Sequence, residues 1–205
     1  MGRYVATTTV LAYLFGTSGT IAGGGGTISG DQQSLIGTCI NNAEAAIDSY
    51  TRRNFAGTGG TAFYSRYFQD RVRDKAFYLD QDLYSLTSIT NGNGQTIPTG
   101  SAWLEPRNAG PPYRIVRLHS AYVYTWSTDS DIQFVGTWGF STVAPNDVQM
   151  AALRYSAHLY RQKDSSGPDN SAGFPEAGQT QTPEGMPSDV RWLLSPYRSR
   201  SGGIV

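Results

Sequence analysis

Ile132-Gln-Phe-Val-Gly-Thr-Trp-Gly-Phe140, followed closely by Pro145-Asn-Asp-Val-Gln-Met-Ala-Ala-Leu-Arg-Tyr-Ser-Ala-His-Leu-Tyr-Arg161, decides the fold class of this chain. Residues 132 to 137 alternate in the manner of a half-buried strand, and Gly136 and Gly139 bracket a tight corner. Pro145, Asn146 and Asp147 then open a helix, 147–163, with Val148, Ala152, Tyr155 and Leu159 on one face. A strand is handed directly to an amphipathic helix.

Upstream, Ser29-Gly-Asp-Gln32 has the spacing of a capping box and opens a second long helix, 31–53. Leu35, Ile36, Cys39, Ile40, Ala43, Ile47 and Tyr50 recur on it at three- and four-residue intervals, one continuous apolar stripe. Gln33, Asn41, Asn42, Glu44, Asp48 and Arg52 form the opposite, polar face. The two stripes predict that helices 31–53 and 147–163 pack together as a scaffold with core residues Ile36, Ile40, Ile47, Tyr50, Val148, Ala152, Tyr155 and Leu159, joined by Trp138. Residues 5–15 read as a short helix with Val10, Leu11 and Leu14 inward. Gly16 to Gly30, with four consecutive glycines at 23–26, reads as a mobile loop.

Between the long helices the period changes to two, and β-branched and aromatic residues dominate. Strands are expected near 61–68, 75–79, 84–90, 101–105, 113–118 and 132–137. Asn91-Gly-Asn-Gly94 should turn a tight hairpin, Asn-Gly supplying positive φ angles. Residues 164–187 lose all periodicity and form a polar arm, after which Pro187-Ser-Asp-Val-Arg-Trp-Leu-Leu-Ser-Pro-Tyr-Arg198 reads as a short helix capped by Ser188 and stopped by Pro196. Its edge of Val190, Leu193 and Leu194 follows a flexible arm and is expected to seek a partner.

The predicted class is therefore α+β: a small helical bundle with an inserted antiparallel β subdomain. Its parts are an N-terminal helical segment with the glycine loop (1–55), the β insertion (56–140), the second long helix (141–163), and the arm with its terminal helix (164–205).

Composition narrows function. The 205 residues carry sixteen basic and sixteen acidic side chains, a net charge of zero, which lacks the basic excess that non-specific phosphate binding demands. Charged residues make up only 16% while Gly numbers 24 and Tyr 13, a makeup suited to wet protein interfaces. Cys39 is the single cysteine, expected to be buried and inert, so no intrachain disulfide forms. Val10 to Phe15 is too short for a secretory core, and no apolar run is long enough to span a membrane.

Titratable groups that could converge on chemistry are few. His119 and His158 read as structural or surface residues, and no nucleophile motif accompanies them. Asp80 with Asp82, and Asp129 with Asp131, read as turn-capping aspartates because neither pair continues into a calcium loop. No catalytic, metal-binding or cofactor-binding residue is assigned. The aromatic residues, among them Tyr64, Tyr67, Phe68, Phe77, Trp103, Tyr122, Tyr124, Trp126 and Phe134, are expected mainly in the core and at interfaces. A carbohydrate-binding β module of a phage or bacterium is the alternative they allow.

Six segments taken in order resemble one known family. They are the short first helix; the end of helix 31–53, matching Ile-x-x-Tyr-Thr-x-Arg-x-Phe at Ile47 to Phe55; Leu79-Asp-Gln-Asp-Leu83 within the β insertion; the Gly136-Thr-Trp-Gly-Phe140 corner; the helix opening at Pro145-Asn-Asp-Val148; and the Leu193-Leu-Ser-Pro-Tyr-Arg198 tail. In these the chain resembles the head-tail connector (adaptor, head completion) proteins of tailed phages, the ring beneath the portal. The resemblance implies a non-enzymatic virion protein of the neck, assembled in the host cytoplasm as a homo-oligomeric ring of twelve. Its partners would be the portal and a tail-completion or tail tube protein, with DNA passing through the channel without specific binding. On this reading Val190, Arg191, Leu193, Leu194, Tyr197, Arg198 and Arg200 dock on the portal.

Overall fold

The computed structural model describes residues 2–16, 28–64, 71–127, 129–162 and 185–199. The central part of the glycine loop, Tyr67 and Phe68, nearly all of the arm, and Arg200 lie outside the described residues. The fold is α+β and divides into two compact units, Met1–Arg52 with Ala144–Val205, and Arg53–Val143.

The first unit is helical: α1 (Thr7–Phe15), α2 (Gly30–Thr51), α3 (Asn146–Gln162) and α4 (Ser188–Leu194). The capping box that opens α2 is complete, Gln32 N–H donating to Ser29 Oγ at 3.2 Å and Ser29 N–H to Gln32 Oε1 at 3.0 Å. Ile36, Ile40, Ala43 and Ile47 are fully buried along its inner face, and Val148, Ala151 and Ala152 along that of α3, so the two helices pack together as their stripes require. α1 lies on both and α4 lies on α3. Burial of Cys39 pushes its thiol pKa up, which suits an inert side chain.

The structure departs from several of these expectations. The first helix begins at Thr7, because Tyr4 and Val5 are buried in a non-helical segment ahead of it; Leu11 and Leu14 are half-buried. Leu35 is exposed, and Tyr50 and Leu159 are half-buried at the margins of the stripe. Glu44, expected in solvent, is 2% exposed. Its carboxylate accepts the backbone N–H groups of Arg3 at 3.0 Å and Tyr4 at 2.7 Å, and Arg3 also reaches Asp48 at 2.8 Å. The N-terminal segment consumes what periodicity alone assigned to water.

The second unit is a seven-stranded antiparallel sheet: β1 (Thr58–Tyr64), β2 (Val72–Arg73), β3 (Ala76–Thr90), β4 (Thr96–Ile97), β5 (Ala102–Glu105), β6 (Tyr113–Leu118) and β7 (Ile132–Trp138). The order is β1-β7-β3-β6-β5, with β2 and β4 paired to β3 as well. The strands expected at 75–79 and 84–90 are one strand, β3, whose register shifts between Tyr78 and Leu83 against β6. Ile132 and Phe134 alternate inward on β7 as the opening stretch predicts, and Trp138, expected to join the core of the two long helices, enters the core of the sheet instead. They join Phe77, Leu83, Ile89, Ile97 and Val116 in the core. Phe77, Trp126 and Phe134 form a closed aromatic triad with centroids 5.1 to 5.8 Å apart.

The hairpin at 91–94 is present, but its positive φ falls on Gly94, at 78°. Asn91 instead turns its side chain inward, donating to Thr125 O and accepting the N–H groups of Gly92 and Ser127. The turn is thereby fastened to the segment ahead of β7.

Candidate interaction surfaces and the residues that frame them

The family-like motifs meet in two clusters, one in each unit. In the sheet unit, Arg53 Nη1 and Arg114 Nε grip the carboxylate of Asp82 from both sides, at 2.9 and 2.6 Å. Asp82 is buried in mid-strand, so the turn-capping reading of this aspartate is wrong; its neighbour Asp80 points out and pairs with Arg71. Gly139, at φ 143°, donates its N–H to Asp82 O, and Phe140 N–H donates to Asn54 O, both at 2.7 Å. Phe140 then packs on fully buried Phe55 at 5.4 Å, while the Arg53 guanidinium lies 5.2 Å from the Phe140 ring. Any Cβ at Gly139 would press within 2.8 Å of the Gly57 backbone, which explains why the corner needs glycine there. The Arg-x-Phe motif, the Leu-Asp-x-Asp-Leu strand and the aromatic corner thus form one network.

In the helical unit the other motifs converge. Tyr197 Oη donates to Asp147 at the start of α3 (3.3 Å), and the Arg198 guanidinium lies 5.1 Å from the Tyr50 ring. Ser199 N–H closes the set on Thr51 O at 2.8 Å. Burial first, then the charge and hydrogen bond of Asp147, raise the Tyr197 pKa. The Tyr-Thr end of α2, the Pro-x-Asp opening of α3 and the Pro-Tyr-Arg tail are stitched to one another.

This changes the outward face of the C-terminal segment. Val190 and Leu194 are fully buried in the unit, with α4 packed on α3, and Leu193 is half-buried, so the apolar edge already has its partner. Pro187 is the N-cap and Ser188 makes no capping hydrogen bond; Pro196 sits in a 3-10 turn that continues the helix, Ser195–Tyr197. What faces outward is Trp192, 75% exposed, with Arg191 also exposed. Sequence reasoning missed Trp192. The signal was its place in α4, two residues from Val190 and two from Leu194, hence off their buried face.

A second exposed surface lies in the sheet unit. His119 stands edge-on to Trp103 at 4.3 Å and to Tyr122 at 5.5 Å, its Nδ1 accepting the Ala121 N–H, and Arg107 caps Trp103 at 4.3 Å. Tyr122 and Val123 are exposed. Asp129 accepts from Ser127 Oγ at 2.7 Å within a loop, as a turn residue does. Among the described residues no three His, Cys, Asp or Glu side chains come together where they could hold a metal ion. No described helix is long and apolar enough to cross a membrane.

No family profile and no curated protein matches the sequence. Solved structures do match the fold. A chain in the neck of an empty gene transfer agent particle, computed with C6 symmetry, superposes with a TM-score of 0.60 at 16% identity, over 97% of this chain and 92% of that one. A chain in the virion of the native gene transfer agent particle gives 0.61 at 17% identity with the same coverage. One in the neck of the native particle, computed with C12 symmetry, gives 0.53 at 16%, covering 97% and 94%. At these identities the likeness is one of fold, and it spans both units. It agrees with the connector-family resemblance of the sequence.

Proposed function

We propose that this chain is a structural protein of a virion neck, a head-tail connector that assembles as a ring of twelve between portal and tail. The observation that carries the reading is the fold shared, across 97% of the chain, with chains in neck and virion structures of gene transfer agent particles. Necks computed with sixfold and twelvefold symmetry are consistent with a cyclic arrangement, in which two dissimilar sides of each subunit meet. Zero net charge suits a wall past which DNA moves, since each added Lys or Arg strengthens phosphate affinity. The carbohydrate-binding alternative has less to stand on, because Phe77, Trp126, Phe134 and Trp138 are engaged in the core.

Docking on the portal is assigned to the outward face of α4. Trp192 is its anchor, with Arg191 beside it, while Val190, Leu194, Tyr197 and Arg198 hold the helix in place for that contact. Large exposed aromatic and arginine side chains are the residue types that dominate binding energy at interfaces. Arg200, beyond the described residues, extends the same segment. The deciding experiment is the mass of the purified protein with and without its portal. A subunit alone, and twelve copies added to the portal when both are mixed, is the expected result; no change in mass on mixing refutes the ring.

A further inference from the structure

The sheet of the second unit ends on two strands that differ in kind. β5 has four residues, is bounded by Pro106, and carries one charge, Glu105, which Arg117 neutralises at 2.6 Å. β1 has seven residues, Thr58-Gly-Gly-Thr-Ala-Phe-Tyr64, with no charge and no proline. It pairs with β7 in unbroken register, and no backbone hydrogen bond reaches its other side among the described residues. Thr58 to Thr61 are exposed. Sheets commonly guard such an edge with charges, proline or a bulge, because its open N–H and C=O groups are a template for another strand. β1 has none of these. The edge is also held in shape, since Trp138 Nε1 donates to Gly60 O at 3.1 Å from the core side. Gly59 has open space where a side chain would stand, and glycine inside a strand marks a close approach of another backbone.

Direction and facing select the occupant. Pairing is antiparallel throughout, so β1 and β5, at the two ends of the order, run the same way. A two-fold axis would join β1 to β1 of a second copy, but that contact closes a dimer and does not propagate round a ring. Resting on the ring of the proposed function, we propose that β1 of each subunit pairs in parallel with β5 of the next copy, extending one sheet from subunit to subunit. A neighbour turned the same way up brings both core faces to one side, and alternation then allows register changes only in steps of two. Thr58 and Gly60 share the core face with Trp138, the register partner of Thr58, while Ala102 and Leu104 lie opposite core residues Leu118 and Val116. Size chooses among the allowed registers. With Gly60 beside Leu104, Gly59 falls beside Trp103 and Thr61 beside Glu105, so that each bare glycine gains a large apolar neighbour, as when an aromatic side chain covers an edge glycine. A parallel pair of four residues is weak by itself, which fits a subunit that is single in solution and joins its neighbours only on the portal.

The test is disulfide trapping of the full-length Thr61→Cys/Glu105→Cys variant, assembled on its portal, oxidised and run on a denaturing gel. Within one chain the two positions lie roughly 19 Å apart, four strand spacings, too far for a disulfide, whereas adjacent strands at about 4.8 Å allow one. A ladder of linked chains reaching twelve is expected. It should be absent from the parent, whose single Cys39 is buried, and from Thr61→Cys/Ala102→Cys, whose positions lie on opposite faces. Hydrogen exchange on the parent protein needs no substitution: the amides of 58–62 and 102–105 should both exchange at least about tenfold more slowly on the portal than in the free subunit. Linked dimers from Thr61→Cys alone, equal ladders from the two double variants, or unchanged exchange at either edge overturns the pairing. A ring of twelve that gives no ladder overturns it too and leaves the neck reading standing. No change in mass on mixing with the portal refutes the ring, and this pairing with it.

Discussion

Asp82 in the sheet unit and Asp147 in the helical unit both receive a motif side chain from far along the chain, yet the two carboxylates do different work. Asp82 is 4% exposed and sits between two arginines; Asp147 is exposed and accepts one tyrosine hydroxyl. A buried ion pair adds little over a well-packed apolar pair, but removing one member strands the other in a medium that solvates it badly. An exposed hydrogen bond can be exchanged for water at small cost. The Asp82 cluster is thus a feature the sheet unit cannot lose, whereas the Tyr197–Asp147 tie is one the helical unit can.

Asp82→Ala tests the strongest form of that contrast. It should cost about 3–5 kcal/mol, as breaking a buried pair does, chiefly because largely buried Arg53 loses its carboxylate; Arg114, one-third exposed, adds less. Denaturant melts read this directly, and a neutral result would mean that water enters the cluster freely. Ile47→Ala comes next in size. It removes a fully buried side chain between α2 and its neighbours and should cost about 2–5 kcal/mol, depending on how far the cavity closes.

Glu44→Ala asks whether the helical unit also has a carboxylate it cannot lose. Two backbone N–H groups would be orphaned, at a cost of about 1–3 kcal/mol, and the Tyr4 amide should exchange much faster. Unchanged exchange at Tyr4 would remove Glu44 from this role. Tyr197→Phe is the smallest change, about 0.5–1 kcal/mol. It carries a sign as well as a size. The raised pKa means that the folded chain holds the phenolic proton to higher pH than the unfolded chain. That contribution is complete below about pH 10 and is lost as pH rises through the folded value. A stability profile of Tyr197→Phe that falls as steeply as that of the parent above pH 10 would contradict it.

The elements built from local signals are legible in the sequence. Ser29 and Gln32 mark the start of α2 to within one residue, Gly30 against the expected 31, and the alternation of Ile132 and Phe134 marks β7. The most consequential misreadings involve a group whose partner lies far away in the chain. Asp80-Gln81-Asp82 looks like a break between two strands, because nothing nearby shows that Arg53 and Arg114 neutralise Asp82 and let β3 run on. Glu44 looks solvated for the same reason, its partners being the main chain of Arg3 and Tyr4. The edge of Val190 and Leu194 looks unpartnered because a polar stretch separates it in sequence from α3, which covers it. Periodicity reports how much apolar surface an element must bury. It does not report which element will do the burying.

The two ends of the sheet unit are fastened to each other: Phe140 N–H bonds Asn54 O and Gly57 N–H bonds Ser141 O, each at 2.7 Å. For the polymer physics of folding, a stretch of about ninety residues then behaves as a short loop. Bringing α3 back to α2 across that length as a flexible chain would cost roughly 3 kcal/mol more in closure entropy than across a handful of residues, by the logarithmic dependence on loop length. Once the sheet has formed, that excess disappears, and α2 and α3 meet as near neighbours. Closing the insertion therefore serves the bundle that surrounds it in sequence, because it brings the end of α2 and the start of α3 together before the two helices have to find each other.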